Sequence, residues 1–147
     1  MSPAFVRRFF VGLCLAGLAG CASDGRVVLR GRVVADGQPV PAGEPPVALE
    51  VLLQAEGTGT DPGTEYVAPV DPDGTFTVRG GDGKGIPPAT YQFAVRAAAD
   101  RPLGQASPPV PLRGVADLAS SPLRCEIAAG DRRVVIDVTK KTVQKEP

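Results

Sequence analysis

The sequence predicts an all-β fold, specifically a β-sandwich, from three observations. Short apolar runs alternate in and out with a period of two. No stretch sustains the 3.6-residue period of an amphipathic helix. The chain holds 18 glycines and 16 prolines, and many of them punctuate the apolar runs as turns do. Residues 26 to 141 are expected to form one domain, a size that buries a real core without metal or disulfide.

The first strand is RVVLRGRVVA, residues 26 to 35. Val27, Leu29 and Val33 share one face with Gly31 between them, and Arg30 and Arg32 share the other. Asp36-Gly37-Gln38-Pro39 reads as a turn, because glycine tolerates positive φ and proline ends the ladder. The second strand is PVALEVLLQ, with Val47, Leu49, Val51 and Leu53 inward. EGTGTDPG, residues 56 to 63, is loop. TEYVAPV is a third strand, and Pro69 places it at an edge.

Asp71-Pro72-Asp73-Gly74 turns the chain into GTFTVRG, where Phe76 and Val78 face inward, so the two strands should form a hairpin. GGDGKGIPP, residues 80 to 88, reads as a flexible connection. ATYQFAVRA then carries Tyr91, Phe93 and Val95 inward and Gln92 and Arg96 outward. Residues 98 to 120 are irregular, with room for a short strand from Val110 to Leu112. PLRCEIA, a turn at Gly130-Asp131 and RRVVIDVTK make an expected last hairpin, with Val134, Ile136 and Val138 inward. Residues 142 to 147 read as a polar tail. Each fully buried Val, Leu, Ile or Phe on these faces contributes roughly 1.5–3 kcal/mol.

Composition excludes several function classes. The chain has no histidine, which removes Ser-His-Asp and Cys-His nucleophilic sites and the usual zinc ligand sets. It has no tryptophan and two tyrosines, so a carbohydrate-binding face of stacked aromatics has little to build on. Formal net charge is zero, which gives no electrostatic case for nucleic acid. Lys140, Lys141 and Lys145 read as a solvated basic end. Cys125 alternates with Arg124 and Glu126 between Leu123 and Ile127, so it is expected to point inward as a small buried hydrophobe.

The amino-terminal segment carries the strongest signal. Arg7 and Arg8 precede the apolar stretch FFVGLCLAGL, and Leu18-Ala19-Gly20-Cys21 closes it. The stretch falls short of the ~20 apolar residues that span a bilayer. The arrangement resembles the lipobox of bacterial lipoproteins, in which a signal peptidase cuts before the cysteine and the sulfur carries a diacylglycerol. An ordinary export signal would need charge, apolar length and four-residue box to coincide by chance. The resemblance implies a signal peptide over 1–20, cleavage between Gly20 and Cys21, a palmitate-type lipid anchor on Cys21, and a short tether over 21–25. Removing residues 1 to 20 takes away Cys14 and leaves 14 basic against 16 acidic residues. Cys125 then has no intrachain partner. Ala22 rather than aspartate follows the cysteine, which by the enterobacterial sorting rule implies an outer-membrane location facing the periplasm.

A second resemblance covers about residues 27 to 139. VVLRGRVVADGQPVPAGEPPVALEV is similar to the opening of transthyretin-like, or carboxypeptidase regulatory-like, domains. VDPDGTFTVRG is similar to their next hairpin, and GIPPATYQFAV to the third element, with Ala89 where that family often has glycine. SSPLRCEIAAGDRRVVIDV resembles the ending of small bacterial lipoproteins in which one such domain follows the lipobox. The resemblance implies a seven-stranded prealbumin-like sandwich and no known catalytic residues.

Each group of residues that could carry chemistry also has a plainer reading. Asp71, Asp73 and Gly74 lack the further oxygen ligands of a calcium loop, and Pro72 suits a turn. GGDGKG lacks the spacing of a phosphate-cradling P-loop. Glu50, Glu126 and Asp137 sit at outward strand positions near arginines and read as solvated or cross-strand paired carboxylates. Ser107, Ser120 and Ser121 have no histidine to activate them. The expectation is a non-enzymatic, lipid-anchored envelope module without cofactor or metal. It would act as a structural adaptor or binding domain among membrane-resident proteins. The alternative is a small-ligand carrier or accessory subunit of an envelope transporter, which would need an apolar cavity lined by Phe76, Tyr91 and Phe93.

Overall fold

Period-two alternation places the strands, and backbone pairing then sorts them into two groups. A computed structural model describes residues 25–40, 48–57, 63–98 and 112–147. The strands are β1 (Leu29–Ala35), β2 (Gln38–Pro39), β3 (Leu49–Ala55), β4 (Glu65–Val70), β5 (Thr75–Val78), β6 (Ala89–Ala97), β7 (Arg124–Ile127), β8 (Arg133–Asp137) and β9 (Thr142–Glu146). No helix occurs among the described residues. The signal segment, Cys21, Val47, most of the 56–63 loop, Ser107 and the strand considered at Val110 lie outside them.

The strands follow the order β7-β6-β3-β4-β5-β1-β8-β9, with β2 paired to β1, in a nearly closed sheet consistent with a β-sandwich. β4 and β5 meet at a single register pair, Val70 with Phe76. The turn between them closes as expected, with Asp71 N–H donating to Thr75 O at 2.7 Å and Gly74 N–H to Asp71 O at 2.8 Å. The strands then splay, so the expected hairpin is a corner between a β7-β6-β3-β4 half and a β5-β1-β8-β9 half. β4 accordingly has one long partner, β3, over Glu65–Val70, which suits Pro69.

The expected last hairpin does not form. β7 pairs antiparallel with β6, while β8 pairs parallel with β1. Asp131 folds the connection by accepting the Ala128 N–H at 2.8 Å and donating its own N–H to Ala128 O at 3.0 Å. β8 pairs along both its edges, with β1 and with β9, which leaves none for β7. The expected polar tail is β9, paired with β8 from Arg133–Glu146 to Asp137–Thr142. Among the described residues the path therefore holds eight strands.

The inward faces match the alternation. Val27, Leu29, Val33, Leu49, Val51, Leu53, Phe76, Val78, Tyr91, Phe93, Val95, Val134, Ile136 and Val138 all belong to one buried cluster. Gly31 is the one gap on the inner side of β1, and the Phe76 ring fills it. A Cβ at Gly31 would stand 2.3 Å from Phe76 Cζ and 2.9 Å from Val134 O. The β1–β2 turn is tight, and both Asp36 (φ 52°) and Gly37 (φ 79°) are left-handed, as a two-residue hairpin requires. The glycine-rich connection is anchored: Ile86 is buried and exchanges hydrogen bonds with Val27 at 2.8 and 2.9 Å. Residues 112 to 123 are irregular, yet the carbonyls of Val115 and Leu123 each accept a β6 N–H at 2.8 Å.

Candidate functional site

The parallel β1–β8 pairing builds the most distinctive surface of the described residues. It puts Arg30 directly opposite Arg133, with Thr77 across from Arg30 on the other side. The Arg30 N–H donates to Arg132 O at 2.9 Å, which brings Arg132 to the same end. A groove of about 420 Å³ crosses this outer face among Arg30, Arg32, Thr75, Thr77, Arg133 and Glu146. A smaller one of about 230 Å³ adjoins it between Val28, Arg30, Arg132 and Arg133.

The charge here is unbalanced. Glu146 stands opposite Arg133 in register, but its carboxylate is engaged by Arg32. Arg26 pairs with Asp82 at 2.8 Å and Lys145 with Asp131 at 2.7 Å. The Lys145 hydrogen bond, joined by the Ala128 N–H, holds the Asp131 carboxyl below its ordinary value. Arg30, Arg132 and Arg133 are exposed and have no carboxylate partner among the described residues. Like charges directly opposite one another destabilise a sheet, so packing does not explain why Arg30 faces Arg133.

The candidates read from sequence fall elsewhere. Gly20 and Cys21 lie outside the described residues. Asp73 Oδ1 accepts both the N–H and the hydroxyl of Thr75, at 3.0 and 2.7 Å, and so caps its turn. Asp82 Oδ1 does the same for Lys84 N–H at 3.0 Å. Glu50 forms the expected cross-strand pair with Arg96 at 2.6 Å, the two standing opposite in register. Glu126 is exposed on β7. Ser120 donates to Asp117 O at 3.5 Å, and Ser121 is buried, its hydroxyl oxygen accepting the Leu123 N–H at 3.3 Å.

Asp137 corrects the expectation of an outward, solvated carboxylate: it is 6% exposed. Its Oδ1 accepts the N–H groups of Asp36, Thr139 and Lys140 at 3.3, 3.1 and 2.9 Å. Burial pushes the carboxyl up. The N–H donors of Lys140, Asp36 and Thr139 and the Lys140 charge outweigh burial and hold it below the ordinary value.

Phe76, Tyr91 and Phe93 are core side chains, each at most 1% exposed. The Tyr91 hydroxyl donates to Pro87 O at 2.7 Å, and burial, with Tyr66 nearby, pushes its pKa up to about 12. Cys125 points toward the core but is half-buried rather than buried, because β7 lies at one end of the strand path. Burial pushes its thiol up against the opposing pull of the Lys145 ammonium. In a chain carrying Cys14→Ser and Cys21→Ser, a thiol-reactive dye should label Cys125 more slowly at neutral pH than in urea. Equal rates would show the thiol to be unshielded.

Among the described residues no group of three or more His, Cys, Asp or Glu is placed to hold a metal ion. No helix of the described residues is long and apolar enough to cross a membrane. No protein-family model, curated protein or solved structure matches this chain. Alternation along β1 puts Arg30 and Arg32 on one face, but nothing in the sequence marks Arg132 and Arg133 as their neighbours. The Arg132-Arg133 dipeptide was visible, whereas the parallel pairing that brings it to Arg30 is not a local property.

Proposed function

We propose that this chain is a lipid-anchored, non-enzymatic module of the cell envelope, held at the outer membrane and facing the periplasm. The observation that carries this reading is the run from Arg7-Arg8 through FFVGLCLAGL to Leu18-Ala19-Gly20-Cys21. Charge, apolar length and box occur there in the order a lipoprotein signal requires. The domain reads as a prealbumin-like sandwich of the transthyretin-like kind. Two four-strand groups joined at the Val70–Phe76 corner support that reading. Phe76, Tyr91 and Phe93 are buried members of one core cluster among the described residues, which supports an adaptor over a carrier that uses them to line a cavity. The absence of histidine supports a role in binding or structure rather than catalysis.

Mass spectrometry of the amino-terminal peptide from membrane-extracted protein tests the reading. Cys21 is expected as the first residue, bearing a thioether-linked diacylglycerol. An unmodified Cys21, or cleavage at another bond, refutes it. In-cell crosslinking should then recover membrane-resident neighbours.

A further inference from the structure

We infer that the end of the domain bearing Arg30, Arg132 and Arg133 is a docking surface for the phosphate headgroups of an anionic membrane leaflet. The inference deepens the lipid-anchor reading and rests on it for the presence of a nearby membrane. The charge argument stands on geometry alone. Arg30 and Arg133 are opposite in register, Arg132 adjoins them, and no carboxylate among the described residues pairs with any of the three. Three exposed guanidiniums held together repel one another, and an external anion relieves that repulsion. Guanidinium forks suit phosphate oxygens, which they bind through two parallel N–H donors.

Topology points the same end toward the anchor. β1 and β8 run parallel, so both begin there. Gly25 lies beside Pro88 and Ala129: a Cβ on it would stand 3.8 Å from Pro88 Cγ and 4.0 Å from Ala129 Cβ. The chain thus enters next to the Ala128–Arg132 connection. From Cys21, the four residues Ala22 to Gly25 reach at most about 14 Å. Arg79 follows Val78, which pairs with Leu29, and it too is exposed at this end. A lipid on Cys21 would therefore hold the arginine cluster on the membrane-facing side of the domain, where anionic headgroups attract basic side chains.

The test uses the full chain with Cys21→Ser, so that no acyl group contributes. Its co-sedimentation is measured with vesicles of phosphatidylcholine alone and of phosphatidylcholine with equimolar phosphatidylglycerol. Three proteins are compared: the parent, Arg30→Gln/Arg133→Gln, and Arg113→Gln/Lys141→Gln, which removes equal charge from another part of the chain. Residues 1 to 24 are common to all three and cancel. The near-end variant is expected to lose about 10- to 30-fold of the parent's preference for the anionic vesicles at low salt. The Arg113/Lys141 variant should keep that preference. Retention of the preference by the near-end variant, or its equal loss in both variants, overturns the inference. If the double variant unfolds, Arg30→Gln and Arg133→Gln singly decide, each with about a fivefold loss expected and no loss counting against it. Stabilisation by inorganic phosphate without any vesicle preference also overturns it, in favour of a soluble anion. Absence of lipid on native Cys21 would refute the anchor reading and leave this measurement standing.

Discussion

Gly31→Ala is expected to lower stability by about 2–3 kcal/mol, read as a fall in urea midpoint at unchanged slope. The sign is the informative part. Alanine in place of a strand glycine ordinarily stabilises by reducing the freedom of the unfolded chain, or by better strand packing. Here the new methyl would meet Phe76 Cζ at 2.3 Å, Phe76 Cε1 at 2.6 Å and Val134 O at 2.9 Å. The ring is 1% exposed and has nowhere to go, and the carbonyl belongs to the β8 backbone. Phe76→Leu removes the ring and costs stability by itself through the void it leaves. Combined with Gly31→Ala it should cost less than the sum, with a coupling of about 1–2 kcal/mol. Additive effects would show that the ring does not occupy the glycine gap.

The second large effect belongs to Asp137. Its Oδ1 ties Asp36 of the β1–β2 turn to Thr139 and Lys140 of the β8–β9 turn. Asp137→Ala leaves three backbone donors without this acceptor and should cost about 3 kcal/mol in chemical denaturation. Asp137→Asn keeps the shape but not the charge and should cost less. The carboxyl lies below its ordinary value in the folded protein. A folded-state pKa below the unfolded one stabilises above the unfolded value, and that stabilisation is lost as pH falls through the folded value. Stability should therefore hold at neutral pH and fall below about pH 4. The Asn variant should show a shallower acid slope than the parent. Some slope remains, because Asp73, Asp82 and Asp131 are depressed as well. An unchanged slope in Asp137→Asn would mean that the carboxylate does not hold the two turns.

Much of the fold was legible because its signals are local. Val27, Leu29 and Val33 on β1, and Tyr91, Phe93 and Val95 on β6, alternate with polar residues, and all six are buried as the pattern predicts. The turns at Asp36-Gly37 and Asp71–Gly74 carried the residue types their backbone conformations require. Cys125 was placed on the correct face, but its exposure depends on β7 lying at the end of the strand path. Thr142–Glu146 was missed as a strand because only Val143 of its five residues is apolar. An edge strand needs few inward apolar contacts, and backbone pairing with β8 supplies most of its stabilisation.

The sequence by itself determined the all-β class, the inward residues of β1, β3, β5 and β6, and the lipobox pattern on which the anchor reading rests. These follow from side-chain period, turn chemistry and a contiguous motif, each written within a few residues. The tertiary structure alone decided which strands become neighbours. It sent β7 to β6 and β8 to β1, splayed β4 from β5 after one pair, turned Asp137 into a buried tie between two turns, and set Arg30 against Arg133. Pairing between residues about a hundred positions apart depends on which edges remain open once the apolar faces have closed on one another. No local pattern encodes that choice.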